Sequence, residues 1–269
     1  MRLVSIGDQI EEGIYPFHSR FHRAVNFRQG DRLVSVVHEQ IGDGPLNIVL
    51  REFDAGETQN ALEVGTDRIN FDGRTLPFAS QQRYCSVLNS HPGPHFREKL
   101  VVFRKILLKA SHPKSLTFLL DDSRIRNFSS GFERAFARQV KFCVDEIFHG
   151  DRLNGVRTLA GCGIGLTPSG DDFIAGYLIG LNLGGTGVPA SGQTADEVFE
   201  AARSDNIFSN TFLDLARQGR LFGRMKNLIL ALMHDSERAV QEMTNRLCAI
   251  GGSSGADLGT GFYVTMCKL

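Results

Sequence analysis

Apolar residues change their period partway along the chain. Up to about residue 90 they come in short runs broken by turn residues. Arg20–Phe27 and Arg32–Val37 flank Arg28-Gln29-Gly30-Asp31, and Ile69–Phe71 and Arg74–Leu76 flank Asp72-Gly73, so each pair reads as a hairpin. Asp-Gly is the stronger of the two signals, because both central positions of such a turn need a positive φ. Leu46–Arg51, introduced by Gly42-Asp43-Gly44-Pro45, is a further strand. Short strands at this spacing predict a small barrel or sandwich-like module. Asn89–His95 closes that region, and its two prolines forbid a helix through it. Beyond it, Phe96–Lys109, Phe132–Phe148, Asp196–Arg203, Ile207–Arg217, Arg224–His234 and Glu237–Leu247 carry apolar residues three and four apart, the pattern of amphipathic helices. Thr186–Thr194, rich in Gly, Pro and Ser, reads as a surface loop. The expected class is therefore α+β: a β-rich N-terminal module over 1–90, then a mainly helical domain over 91–269.

Composition narrows the partners. The 269 residues hold 30 basic and 30 acidic side chains, so no strong field invites nucleic acid or an anionic membrane surface. The longest apolar stretches, Phe173–Leu181 and Leu228–Met233, fall far short of the ~18–20 residues that a membrane span needs. Met1 runs into Arg2–Gly7 with no apolar run and cleavage site, and the five cysteines include no Cys-x-x-Cys pair. The expected address is the cytoplasm, with neither a disulfide framework nor a zinc site.

The chemistry lies in a local repeat. Ser169-Gly170-Asp171-Asp172 and Ser254-Gly255-Ala256-Asp257 share Ser, Gly and Asp in one register, and each is followed by a glycine four positions on, Gly176 and Gly261. Glycine-rich turns precede both copies: Gly161-Cys162-Gly163-Ile164-Gly165 and Gly251-Gly252. Ser-x-x-Asp ahead of an apolar run also describes a helix cap. A cap does not require the upstream glycines, nor Gly176, Gly180 and Gly184 in the helix that follows, which together cost ~2–3 kcal/mol of helix propensity relative to Ala. Something must pack closely against that glycine face, and a shared ligand would bring the two loops together. Backbone N–H groups at a helix start favour phosphate or carboxylate. The candidate binding residues are Gly163, Gly165, Thr167, Ser169, Gly170 and Asp171 of the first loop and Ser253, Ser254 and Gly255 of the second, with Asp172 and Asp257 as catalytic candidates. Neither a Walker A loop nor a dinucleotide fingerprint is present. The aspartates would repel a phosphate unless Mg²⁺ bridges them or they accept hydrogen bonds from a ligand amide. No other cofactor or metal is expected.

Gly163-Ile164-Gly165-Leu166-Thr167-Pro168-Ser169-Gly170-Asp171-Asp172-Phe173 resembles the signature of a bacterial family of formerly unknown function, which includes the AllH-type subunit associated with oxamate carbamoyltransferase. Gly251–Asp257 is similar to its second motif, and Arg20–Asn26 through Gly44–Ile48 to its opening. Gly252 stands where that family commonly has a His. The resemblance implies carbamoyl transfer between carbamoyl phosphate and oxamate or oxalurate in allantoin (purine) catabolism, beside two other protein subunits. The partners would then be a small anionic amide or phosphate and those subunits. A non-catalytic ligand-binding or scaffolding subunit, and a phosphotransferase with an unfamiliar phosphate loop, are the alternatives.

Overall fold

A computed structural model of the chain describes residues 1–55, 61–184 and 190–268. The chain forms two compact units, Met1–Leu88 with Arg220–Lys226, and Asn89–Gly219 with Asn227–Leu269. A strand-rich N-terminal region followed by a mostly helical C-terminal part is the expected α+β class.

In the first unit the strands are β1 (Arg2–Gly7), β2 (Gly13–Tyr15), β3 (Phe17–Phe21), β4 (Ala24–Gln29), β5 (Arg32–His38), β6 (Asn47–Arg51), β7 (Leu62–Val64), β8 (Arg68–Phe71), β9 (Arg74–Pro77) and β10 (Arg83–Tyr84). They build a six-stranded sheet, β10-β1-β6-β5-β4-β3, and a four-stranded sheet, β2-β7-β8-β9. Neither sheet closes into a barrel among the described residues, so of the two modules expected only the open one survives. Phe27 of the larger sheet meets Phe71 of the smaller edge-to-face at 6.0 Å, and Phe53 joins Phe71 at 5.9 Å, giving the sheets one aromatic core. The Asp72-Gly73 turn has φ of 52° and 69°, as its residue types require. Arg20–Phe27 is not one strand. The chain turns at His22-Arg23, and β3 pairs antiparallel with β4, which buries Val25 and Phe27 while leaving Phe21 exposed.

Residues 220–226 join this unit through polar contacts. Leu221 N–H donates to the Ser86 carbonyl (2.9 Å), Tyr84 Oη to the Leu221 carbonyl (2.9 Å) and Gly223 N–H to the Asp43 carbonyl (2.8 Å). Asp8 Oδ2 accepts from Ser86 N–H (2.9 Å), Ser86 Oγ (3.0 Å) and Arg220 Nη1 (3.3 Å).

The second unit is helical: α1 (Phe96–Ala110), α2 (Gly131–His149), α3 (Arg152–Leu159), α4 (Ser169–Gly184), α5 (Ala190–Ala202), α6 (Ile207–Arg217), α8 (Glu237–Cys248) and α9 (Ser254–Lys268), with α7 (Gly223–His234) beginning in the first unit and ending here. Of the expected loop 186–194, residues 186–189 lie outside the described residues, and from Ala190 the chain is helical. Helix α1 buries Phe96, Leu100, Phe103 and Leu107, one stripe at helical spacing. A capping box starts α2, in which Ser130 Oγ accepts from Glu133 N–H and Glu133 Oε2 from Ser130 N–H. Helix α4 differs from these, being buried almost all round from Gly170 to Gly180. No helix among the described residues is long and apolar enough to cross a membrane.

Asp8→Ala should destabilise the protein by about 1–3 kcal/mol, because it leaves the buried Ser86 N–H and hydroxyl without their acceptor. Urea denaturation of variant and parent checks this, and an unchanged midpoint would mean that other groups hold residues 220–226.

Candidate functional site

Helices α4 and α9 lie side by side, parallel and in register. A Cβ on Gly176 would collide with the Leu258 carbonyl of α9, and a Cβ on Gly261 with the Phe173 carbonyl of α4. Phe173 and Leu258 occupy the same place in the two copies of the motif, as do Gly176 and Gly261, so the contact is reciprocal. Further along, a Cβ on Gly180 would stand 2.7 Å from Thr265 Cβ. The helical glycines therefore serve a backbone-to-backbone contact, which explains residues that otherwise weaken a helix.

The helix ahead of each copy repeats the relation. Helix α3 ends at Leu159 and α8 at Cys248, and Gly161 (φ 71°) and Gly251 (φ 58°) turn the chain out of them. Cys162 N–H then donates to the Leu159 carbonyl and Ile250 N–H to the Leu247 carbonyl, both at 3.0 Å. Gly170 N–H donates to the Cys162 carbonyl (2.8 Å), and Gly255 N–H to the Ile250 carbonyl (3.2 Å). Cβ atoms on Gly170 and Gly255 would strike the Leu159 and Leu247 carbonyls. These two glycines, expected to bind ligand, thus have their N–H groups engaged and their faces packed against carbonyls.

The two loops meet: Thr167 Oγ1 and Ser254 Oγ are 3.4 Å apart. Beneath them lie Asp172 and Asp257, buried to 3% and 0% exposure. The hydroxyls of Ser254 and Thr167 favour the ionised form of Asp172, and those of Ser169 and Ser253 the ionised form of Asp257, so each serine at a helix start acts on the aspartate of the other helix. Asp257 Oδ1 also accepts from Leu116 N–H at 2.6 Å, delivered by the short 3-10 turn Leu116–Leu119. Oδ2 of each aspartate is buried and without a hydrogen-bond partner.

Burial raises both carboxyls, which lose more hydration as anions than as acids. Asp257 rises to about 6 despite the opposing N–H and hydroxyl donors. Asp172 rises well above the ordinary range, through burial first and then the neighbouring charge of Asp257.

Asp171 plays a different part. Its Oδ1 accepts from Gly161 N–H (2.7 Å) and its Oδ2 from Ser209 Oγ of α6 (2.5 Å), so both oxygens bind the protein itself. Asn206 completes this brace: it caps α6 through Phe208 and Ser209 N–H, and its Nδ2 donates to the Leu166 carbonyl at 2.9 Å. Gly163 (φ 122°) and Gly165 (φ 114°) shape the exposed excursion that this brace holds, and Ile164 is 90% and Leu166 47% exposed on it. Cys162 Sγ points at the Thr158 carbonyl (3.1 Å), and burial with the Asp171 charge pushes its thiol up, away from the thiolate a nucleophile needs. Leu116, Asn206 and Ser209 were not among the residues expected at the site; Leu116 acts through its backbone N–H, which any residue type carries.

No group of three or more His, Cys, Asp or Glu converges to hold a metal among the described residues. Residues 159–266, under half of the chain, match a family model described as oxamate carbamoyltransferase subunit AllH. This span holds both loops, both aspartates and the α6 brace, and the resemblance seen in the motifs is shown over it. No curated protein and no solved structure matches the chain.

Gly176→Ala and Gly261→Ala should each destabilise the protein by about 3 kcal/mol or more, whereas Gly252→Ala, with nothing within 4 Å of its Cβ, should change little. Thermal unfolding of the three variants separates a backbone contact from a general intolerance of the loops. The Asp257 carboxyl, raised from 3.8 to about 6, binds its proton more tightly folded than unfolded, so its contribution is complete below about pH 4 and is lost as pH rises through 6. In buffer free of divalent cations, Tm should fall from about pH 5 to about pH 7, with a flatter profile in Asp257→Asn. Parallel profiles would assign the pH dependence to other groups.

Proposed function

We propose that the chain is a subunit of a carbamoyltransferase, with residues 159–266 as its ligand-binding part. The family match supports this reading, because it spans both glycine loops and the aspartate pair. The reaction proposed is attack by the amide nitrogen of oxamate on the carbonyl carbon of carbamoyl phosphate. The new C–N bond forms as the C–O bond to phosphate breaks, phosphate leaves, and the nitrogen loses a proton, giving oxalurate. An amide nitrogen is a poor nucleophile, so positioning must contribute much of the rate.

In this reading the loop backbone at Gly163, Gly165 and Thr167, with the hydroxyls of Thr167, Ser169, Ser253 and Ser254, holds the anionic ends. The partly positive starts of α4 and α9 add to that hold. Asp172 and Asp257 face the transferred amide groups, with Asp257, the more readily ionised, as the acceptor of the nitrogen's proton. Allantoin (purine) catabolism is the pathway proposed, and further subunits its partners. One observation favours a second reading, a non-catalytic subunit that binds ligand for its partners: neither loop, 161–172 or 251–257, contains a Lys, Arg or His.

Calorimetry with carbamoyl phosphate, oxamate and oxalurate on the parent and Gly165→Val tests the site. A β-branched residue at φ 114° strains the loop, while the nearest neighbour of its Cβ is 3.9 Å away, so a binding loss without unfolding is expected. Equal affinity in both proteins would place the ligand elsewhere. Turnover by the chain alone would exclude the non-catalytic reading.

A further inference from the structure

The proposed ligands are anions, yet the charges at this site do not welcome them. The loops contribute no basic side chain, and the two carboxyls below them belong to the protein. Each helix start carries roughly +0.5 of an elementary charge, about +1 for the pair. Two ionised aspartates leave the site at about −1, and a phosphate dianion would take it to about −3. At the same time two buried oxygens, Asp172 Oδ2 and Asp257 Oδ2, have no donor. A buried carboxylate oxygen without a partner is costly, and both occur in the first turns of two paired helices whose loops meet, with Asp172 feeling the charge of Asp257.

The donors around that point are oxygens: the two carboxylates and the hydroxyls of Thr167, Ser169, Ser253 and Ser254. Cys248 also feels the Asp257 charge, but burial pushes its thiol up to about 11, so it offers no thiolate and a soft metal has little to favour it. Oxygen ligands suit a hard cation. Mg²⁺ in particular is held by one or two carboxylates, completing its shell with water and substrate phosphate rather than a full protein cage. Two aspartates are therefore enough, although no larger acidic cluster is present.

We propose that Asp172 and Asp257 bind a hard divalent cation, Mg²⁺ or Mn²⁺, and that this ion meets the phosphate oxygens of the incoming ligand. The cation satisfies both Oδ2 atoms at once. It lies between the two helix starts, where each copy of the motif presents it with the same carboxylate. The half-buried hydroxyls of Thr167 and Ser254, 3.4 Å apart, mark the side from which the ion and its remaining ligands approach. The site for the ion stands on the aspartates alone; its contact with phosphate rests on the carbamoyl-transfer reading, and with the ion bound Asp257 holds it in place of accepting the nitrogen's proton.

The test uses the full chain, stripped of metal. Mn²⁺ binding is followed by electron paramagnetic resonance and Mg²⁺ binding by calorimetry, each with and without carbamoyl phosphate. One site per chain is expected, with affinity lowered about tenfold or more in Asp172→Asn and Asp257→Asn, and less in Ser254→Ala, whose carboxylates are intact. Circular dichroism and Tm confirm that the isosteric variants are folded, and the signal on the parent protein does not depend on them. Carbamoyl phosphate should bind about tenfold more tightly with Mg²⁺ than without it. Failure of either ion to bind, with or without carbamoyl phosphate, overturns the proposal and leaves a shared proton as the partner of the two oxygens. Binding of carbamoyl phosphate that ignores Mg²⁺ overturns the cation bridge but keeps the carbamoyl-transfer reading. Cation binding lost in the aspartate variants, with no response to carbamoyl phosphate, keeps the metal site and removes that reading.

Discussion

Everything around the candidate site depends on how closely α4 and α9 approach. At Gly176 and Gly261 each helix rests on a backbone carbonyl of the other, and no side chain larger than hydrogen fits between them. Such a contact brings two parallel helices together with their positive ends adjacent, an arrangement that repels itself. An aspartate in the first turn of each helix counters that repulsion, and burial keeps the countercharge undiluted by water. The glycines and the aspartates are thus two halves of one requirement. Closeness creates the positive end that the carboxyls occupy, and the carboxyls make the closeness tolerable.

Symmetry then gives way to difference in the loops. Residues 249–253 connect α8 to α9 by a short path, while residues 160–168 take a longer one from α3 to α4. The longer loop would wander without support, and it is tied at both ends by Asp171, Ser209 and Asn206. Between those ties Ile164 and Leu166 point outward, in contrast to the polar residues beneath. One loop is thus a plain connection and the other a shaped, braced projection on a common frame.

Much of this was legible in the chain itself. The recurrence of Ser, Gly and Asp at one spacing, with a glycine in each following helix, announced that the loops share a centre. The cost of Gly176 and Gly180 in a helix implied a close neighbour, and α9 is that neighbour. Less accessible was the division of labour. Asp171 and Asp172 are adjacent in sequence, yet they point to different partners because successive helical residues face about 100° apart. Gly170 and Gly255, expected to bind ligand, also pack against the Leu159 and Leu247 carbonyls, a contact that only the path of the preceding helix reveals. Leu116 acts through its backbone N–H, which any residue type carries. Likewise, the pairing of β3 with β4 and the return of Arg220–Lys226 to the first unit rest on non-local contacts that periodicity does not record.

The helix contact also governs which parts of this region can give way. Two backbones in van der Waals contact part only at a cost, since a gap of about 0.5–1 Å already forfeits roughly a quarter to a half of each contact's attraction. The aspartates, carried in the first turns of these helices, are therefore held in place by the frame itself. Motion is left to the braced loop, whose ties are a few hydrogen bonds rather than a packed surface. A change at Asn206 or Ser209 can therefore reshape that loop without disturbing the geometry of the aspartate pair.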